Sequence, residues 1–319
     1  MDAAQTKALH EPTQSNLLPL FINLAAFLGG IASLATGWPS DHWAWVVFAI
    51  IWLSYFQHTW MTIFHEDVHY SLYRRRWHNV RSGIIVGTIL MVPFSVYRQM
   101  HLGHHKRMNQ PDDAELWPYC DPTKSLTFRR VFVFFDLLLG YLTGVFIYNR
   151  VFFLKDSPIK DPALRRRIWL EYLLIVVFWG TIWTWVAVTD SWWLFAKVYL
   201  IPAFVTGFFQ AVRKLTEHLG LPLGHPMKGA RTVIAKGELG KAVAYTSFDI
   251  SKHGLHHQFP AMPHYNLKTA FSLDEDKLAD APIFSSHFAA ILDMFRCLTN
   301  PGIGVNAVGA AQPATADGG

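Results

Sequence analysis

WAWVVFAIIWLSYFQHTWMTIF, residues Trp43 to Phe64, runs straight into HEDVH, residues His65 to His69. The first stretch is uncharged and has the length of a helix that crosses a bilayer, about 20 residues. The second sets two histidines four apart. If the helix continues past the membrane, both imidazoles project from one face. The two stretches together describe a chemistry-bearing group held just outside a membrane span.

Residues 17–36 form a similar run, joined to the first by the polar or turn-forming Gly37-Trp38-Pro39-Ser40-Asp41-His42. The pattern returns at 168–189 and 192–212, around Asp190-Ser191. This predicts an all-α integral membrane protein with four spans in two helical hairpins. Glu171 and Lys197 lie near segment ends, where a charge can reach the interface. The turns 37–42 and 190–191 hold no Lys or Arg. Arg74-Arg75-Arg76, Arg81, Lys155, Lys160, Arg165-Arg166-Arg167, Arg213 and Lys214 all fall on the opposite side. Positive charge collects on the cytoplasmic side, so both termini and every histidine cluster are expected in the cytoplasm, under a helical cap.

Composition agrees. Hydrophobic residues make up 51% of the chain and charged residues 16%, against roughly a quarter charged in soluble domains. The net charge of +5 sits in short juxtamembrane runs, so nucleic acid is not an expected partner and membrane lipid is. Cys120 and Cys297 are the only cysteines. Neither lies in a C-x-x-C pair, which excludes a disulfide framework and a thiolate zinc site.

Residues 1–16 form a polar N-terminal segment without a cleavage-site pattern, so the first apolar run is expected to stay as an anchor. The short plain termini suggest a bacterial inner membrane. Residues 17–300 read as one membrane domain, and the Gly/Ala-rich tail 301–319 as disordered. Residues 83–97 are too short for a comfortable span. Residues 131–154 contain Asp136, two glycines, Asn149 and Arg150. Both are expected to be interfacial or cap-covering helices.

Two further clusters follow HEDVH: His101-Leu102-Gly103-His104-His105 and His253-Gly254-Leu255-His256-His257. In each, one histidine stands three and four residues before an adjacent pair, gathering three rings on one side of a helix. The three clusters hold eight of the sixteen histidines. One metal ion rarely takes more than three or four imidazoles, so eight imply more than one metal, with iron and zinc as suitable ions. HEDVH alone also matches the zinc protease pattern H-E-x-x-H, but that reading leaves six cluster histidines unused.

The whole set resembles the membrane fatty acid desaturase and hydroxylase superfamily. Its three histidine boxes read roughly H-x(3,4)-H, H-x(2,3)-H-H and H/Q-x(2,3)-H-H, and this chain has H-E-D-V-H, H-L-G-H-H and H-G-L-H-H in that order. The resemblance covers roughly residues 17–270. It implies a non-haem centre of two Fe that activates O₂, bound by His65, His69, His101, His104, His105, His253, His256 and His257. The family often has one more histidine ligand between the last span and the third box, and His218 fits that place. The implied substrate is a lipid acyl chain or another apolar molecule. The implied reaction is desaturation, with oxygen insertion by a carotenoid ketolase, carotenoid hydroxylase or lipid hydroxylase as the alternative. No Gly-x-Gly-x-x-Gly fingerprint is present, so electrons are expected from a separate ferredoxin, rubredoxin or cytochrome b5-type donor. A metal-binding membrane protein without catalysis is the non-enzymatic alternative. A metal transporter would carry ionisable residues deep in its spans.

Ligating imidazoles usually donate their second N–H to a carboxylate or carbonyl. Glu66, Asp67, Asp112, Asp113, Glu217 and Asp249 are placed to accept. Arg98, Gln99, Lys106 and Lys252 flank the second and third boxes and are candidates to meet an acidic donor or a lipid headgroup. His58 lies inside a span and is expected to be buried and hydrogen-bonded. His225 reads as a loop residue. His10, His78, His264 and His287 have no partner at ligand spacing.

Overall fold

The computed structural model describes residues 3–11, 15–37, 42–224, 226–274 and 281–307. The turn at 38–41, His225 and the tail from 308 onward lie outside the described residues. Helix dominates. The strands among the described residues are Thr232–Val233 and Ile283–Phe284, paired in parallel with Thr232 opposite Ile283.

α1 (Ala3–His10) precedes α2 (Leu17–Thr36), which has the bounds the apolar run predicts. α3 (Trp43–His69) continues without a break through both histidines of the first cluster. α2 packs along α3.

Residues 83–97 and 131–154 are not single helices. The first is divided between α4 (Arg76–Ile89) and α5 (Phe94–Arg107), which meet at 105°. Pro93 cannot continue α4, Met91 is left-handed (φ 58°), and the Val92 N–H turns back to the Gly87 carbonyl at 2.9 Å. Gly87 is required there, because a Cβ would stand 2.5 Å from the Val92 oxygen. The second is divided between α6 (Leu126–Leu138) and α7 (Gly140–Phe153), bent by 116°. At that bend the backbones of α7 and α10 touch: a Cβ on Gly140 would lie 2.1 Å from the Gly207 oxygen. Gly140→Ala should therefore destabilise the fold by about 3 kcal/mol or more, seen as a lowered melting temperature in detergent. An unchanged melting temperature would contradict the close crossing.

α8 (Pro162–Val188) starts six residues before the expected span. The Asp161 carboxylate accepts from the Ala163 and Leu164 amides at 3.2 Å, and Pro162 pre-sets the first turn. The last long helix has three parts: α9 (Trp192–Phe195), one π turn at Ala196–Leu200, and α10 (Ile201–His218). Pro202 has no N–H to offer the Val198 carbonyl and would crowd it in an α turn, which accounts for the wider turn. Lys197 donates to the Leu34 carbonyl at the end of α2. Glu171 is buried, and accepts from the Ser95 amide and hydroxyl and from Arg167, fixing the start of α5 on α8.

Four helices are long and apolar enough to cross a membrane, or up to six if each bent pair is one crossing. Their outward faces are apolar. On α8, Leu170, Leu173, Val176 and Val177 are all exposed, a contiguous surface that marks lipid contact. The protein is a membrane protein.

The remaining elements are α11 (Pro226–Gly229), α12 (Glu238–Thr246), α13 (His253–Gln258), α14 (Leu267–Asp274) and α15 (His287–Phe295). Buried Arg231 pins them to the end of α10, donating to the Thr216 and Leu219 carbonyls at 3.0 and 2.8 Å and to Asp293 of α15 at 2.9 Å. The N-terminal segment joins the same region: Asn266 donates to the Leu9 carbonyl, and Asn16 bonds His264 and the Leu72 carbonyl.

Candidate metal centre

The sequence-predicted histidines converge, all nine of them, in two adjacent groups. His65, His69, His101, His105 and His256 form one, and His104, His218, His253 and His257 the other; within each group the ligand atoms all lie within 4.8 Å of one another. Helix geometry explains the division. Residues four apart share a face, whereas adjacent residues differ by about 100°. His65 and His69 of α3 and His101 and His105 of α5 therefore enter the first group, and His104 the second. α13 does the reverse, sending His253 and His257 to the second group and His256 to the first. The two H-x-x-H-H boxes are complementary, and His218 at the end of α10 brings the smaller group to four.

Ring orientation is fixed from outside. The Nδ1 atoms of His65, His101 and His104 meet Glu66 (3.1 Å), Glu115 (2.9 Å) and Asp113 (2.7 Å), and that of His218 meets the Gly229 carbonyl (3.2 Å). Donation from Nδ1–H leaves the Nε2 lone pair facing inward. The inward contacts are all Nε2 to Nε2: His69–His101 3.0 Å, His101–His105 3.1 Å, His105–His256 3.1 Å, His253–His257 3.1 Å, His218–His253 3.0 Å and His104–His257 3.2 Å. Two imidazole nitrogens that shared one ion at about 2.0–2.1 Å each would stand about 3 Å apart. The buried Nε2 of His65 has no hydrogen-bond partner among the described residues. An all-imidazole set of this spacing fits a pair of ions such as iron or zinc.

Electrostatics favours neutral rings. Burial, reinforced by neighbouring imidazoles, holds His101, His105, His253, His256 and His257 well below the usual histidine range. His104 departs from this. Burial lowers it, but the charge and hydrogen bond of Asp113, with Glu115 and Glu217 beyond, raise it to about 9. Burial likewise pushes Glu115 up to about 7, against the pull of His104.

The carboxylates predicted to orient the rings divide. Glu66 and Asp113 do so, and Glu217 stands 3.6 Å from His253. Asp67 sits beside Ser82, Asp112 pairs with Arg107 at 3.2 Å, and Asp249 serves His264 and Lys252. Glu115 and the Gly229 carbonyl were not predicted. The acidic run Asp112-Asp113-Ala114-Glu115 held the signal for Glu115, but only the turn after α5 decides which members point back. Lys252 is buried against Asp249, and Arg98 lies over the Tyr70 ring with its Nε donating to the Val68 carbonyl. Gln99 and Lys106 are exposed. His10 packs on Phe259, His78 stacks on Trp77, and His287 opens α15, all outside the two groups.

Beside the centre lies a small cavity touching His65, His101, His104, His218 and His253. Tyr148 and Gln210 line it, and they also line a more apolar cavity of about 50 Å³ between α3, α7 and α10, walled by Met61, Phe64, Gly144 and Gly207.

Residues 41–288 match the fatty acid desaturase family. The chain belongs to that family. It is a desaturase-type oxidoreductase, and among its relatives is an sn-1 acyl-lipid omega-3 desaturase (ferredoxin) of Nostoc sp. (strain 36), 26% identical over 71% of this chain and 67% of the relative. An sn-1 oleoyl-lipid 12-desaturase of Anabaena variabilis is 25% identical over 74% and 71%. A sphingolipid delta(4)-desaturase of Mus musculus is 24% identical over 79% and 72%. In this desaturase Glu66 orients His65 and accepts from Ser71, which disposes of its reading as a protease base. Asp113→Asn should weaken metal affinity about 10- to 100-fold, measured by competition with a chelator; unchanged affinity would remove Asp113 from the site.

Proposed function

We propose that this chain is an acyl-lipid desaturase with two iron ions, which converts a –CH₂–CH₂– unit of a lipid acyl chain to –CH=CH–. The observation that carries this reading is the pair of imidazole groups, five and four, set against an apolar cavity. His65, His69, His101, His105 and His256 would hold one ion, and His104, His218, His253 and His257 the other. Iron bound there supplies O₂-dependent removal of two hydrogens from unactivated carbon, chemistry that acid–base side chains alone do not perform.

The balance is one O₂, two electrons and two protons, with two waters released. The electrons come from a separate donor; a ferredoxin is the favoured type, because a relative's name includes one. The chain's own residues hold the rings in one tautomer through Glu66, Glu115, Asp113 and Gly229, exclude water by burial, and align the hydrocarbon between α3, α7 and α10. The favoured topology is two hairpins in a bacterial inner membrane, with the termini and metal centre on the cytoplasmic side. The test is lipid analysis of cells expressing the wild type. Loss of two hydrogens from an acyl chain supports the proposal, and gain of oxygen supports an oxygen-inserting relative instead.

A further inference from the structure

A second and larger cavity, about 440 Å³, lies against a different face of the same two helices. Gln57, Met61 and Phe64 of α3 face the apolar cavity beside the metal centre, whereas Tyr55 and His58 face this one. On α10 the division is between Thr206, Gly207 and Gln210 and, here, Phe208, Val212 and Thr216. Val243 of α12 and Ser251 close the far side. Its volume is that of a small-molecule site.

The lining mixes apolar side chains such as Phe208, Phe209, Val212 and Ile250 with polar ones, among them Arg213, Glu217 and Arg231, and three polar atoms around it stand alone. His58 Nε2, Thr216 Oγ1 and Ser251 Oγ are buried and have no hydrogen-bond partner among the described residues. His58 is only 9% exposed and sits inside a membrane helix, with Gln210 at its ring. A buried polar atom without a partner is costly. Three around one cavity form a recognition set for an apolar molecule that carries oxygen.

The rim carries exposed apolar side chains. Phe208 lines the cavity and is 45% exposed on a spanning helix. α12 is held against the spanning helices through Thr246 at its end: Tyr55 Oη meets its Oγ1 at 2.5 Å, and Asn23 donates to its carbonyl at 3.1 Å. On α15 the exposed side chains Phe288, Leu292 and Phe295 are spaced four and three apart and share one face. The inner end faces the metal centre. Arg213 and Glu217, ion-paired at 2.6 Å, line both this cavity and the one touching the histidines.

We propose that this cavity is a chamber that receives an acyl lipid sideways from the bilayer, with His58, Thr216 and Ser251 hydrogen-bonding to its ester or hydroxyl oxygens. The proposal rests on the acyl-lipid reading above, and assigns the place where that lipid is received.

The test uses the iron-loaded full chain in lipid nanodiscs containing a diacyl glycerolipid with a diazirine in one acyl chain. After irradiation, crosslinks should map to 208–216 and 243–251, compete with unlabelled glycerolipid, and withstand a water-soluble acyl thioester. His58→Phe from α3 and Val243→Trp from α12 should each lower that labelling about tenfold, while lipid-facing peptides of α8 label as before and metal content is unchanged. Absence of label at 208–216 and 243–251, indifference of the label to both variants, or competition by the soluble thioester would overturn the chamber. With O₂ and a reduced ferredoxin supplied, competed labelling without desaturation would refute the proposed reaction and leave the chamber standing; desaturation without labelling would do the reverse.

Discussion

Alanine at His104 or at His256 is expected to abolish lipid desaturation and to lower bound metal from two ions per chain to one or none. The reason is geometric. His104 is one of four imidazoles in its group, and its Nδ1 is anchored to Asp113 at 2.7 Å. Removing it leaves three ligands and strips buried Asp113 of its imidazole, with only the Asn109 and Glu115 amides still donating to it, a change of the kind that costs several kcal/mol. His256 is the only ring that α13 sends to the other group. Deleting it releases the contact with His105 at 3.1 Å, one of those that join α5 to α13. His78→Ala serves as the control, since His78 stacks on Trp77 away from both groups. Metal analysis of the purified variants beside lipid analysis of the cells checks the expectation, and full turnover by either cluster variant would sink the two-metal assignment.

Filling the apolar cavity should be nearly as damaging while leaving the metals in place. Gly144 lines that cavity from α7, and a Cβ added there meets nothing within 4 Å. Gly144→Phe therefore has room to start and projects its ring into the space assigned to the acyl chain. Displacing a reacting carbon by about 1 Å can cost about 100-fold in rate, so turnover should fall at least about that far with metal content unchanged. Turnover near wild type would show that the acyl chain runs elsewhere. Gly140 and Gly207 cannot be used in the same way, because a side chain on either would strike backbone.

The parts that the sequence made legible are those written in short-range patterns. Uncharged runs of about 20 residues located α2 and α3 closely. His65 and His69 were expected to share a face if the helix continued, and α3 does run through both. The H-x-x-H-H boxes implied more than one metal. Which ring serves which group was hidden until α5 and α13 were seen to face each other, because sequence spacing fixes a face and not the direction of a neighbouring helix. The bends at 90–93 and 139 were also missed. Pro93 and Gly140 are visible in the sequence, but the 105° and 116° turns are set by long-range contacts, Glu171 with Ser95 and Gly140 with Gly207. Glu115 was overlooked for the same reason, and the stacking of Arg98 on Tyr70 likewise comes from the fold.

The most direct test of the central claim is mass spectrometry of acyl lipids from cells expressing the wild type, with His104→Ala beside it. The account predicts an acyl species two hydrogens lighter that is absent from the variant. A species heavier by oxygen, or identical lipid profiles from cells whose purified protein carries two iron ions and whose donor and lipid are supplied, would contradict it.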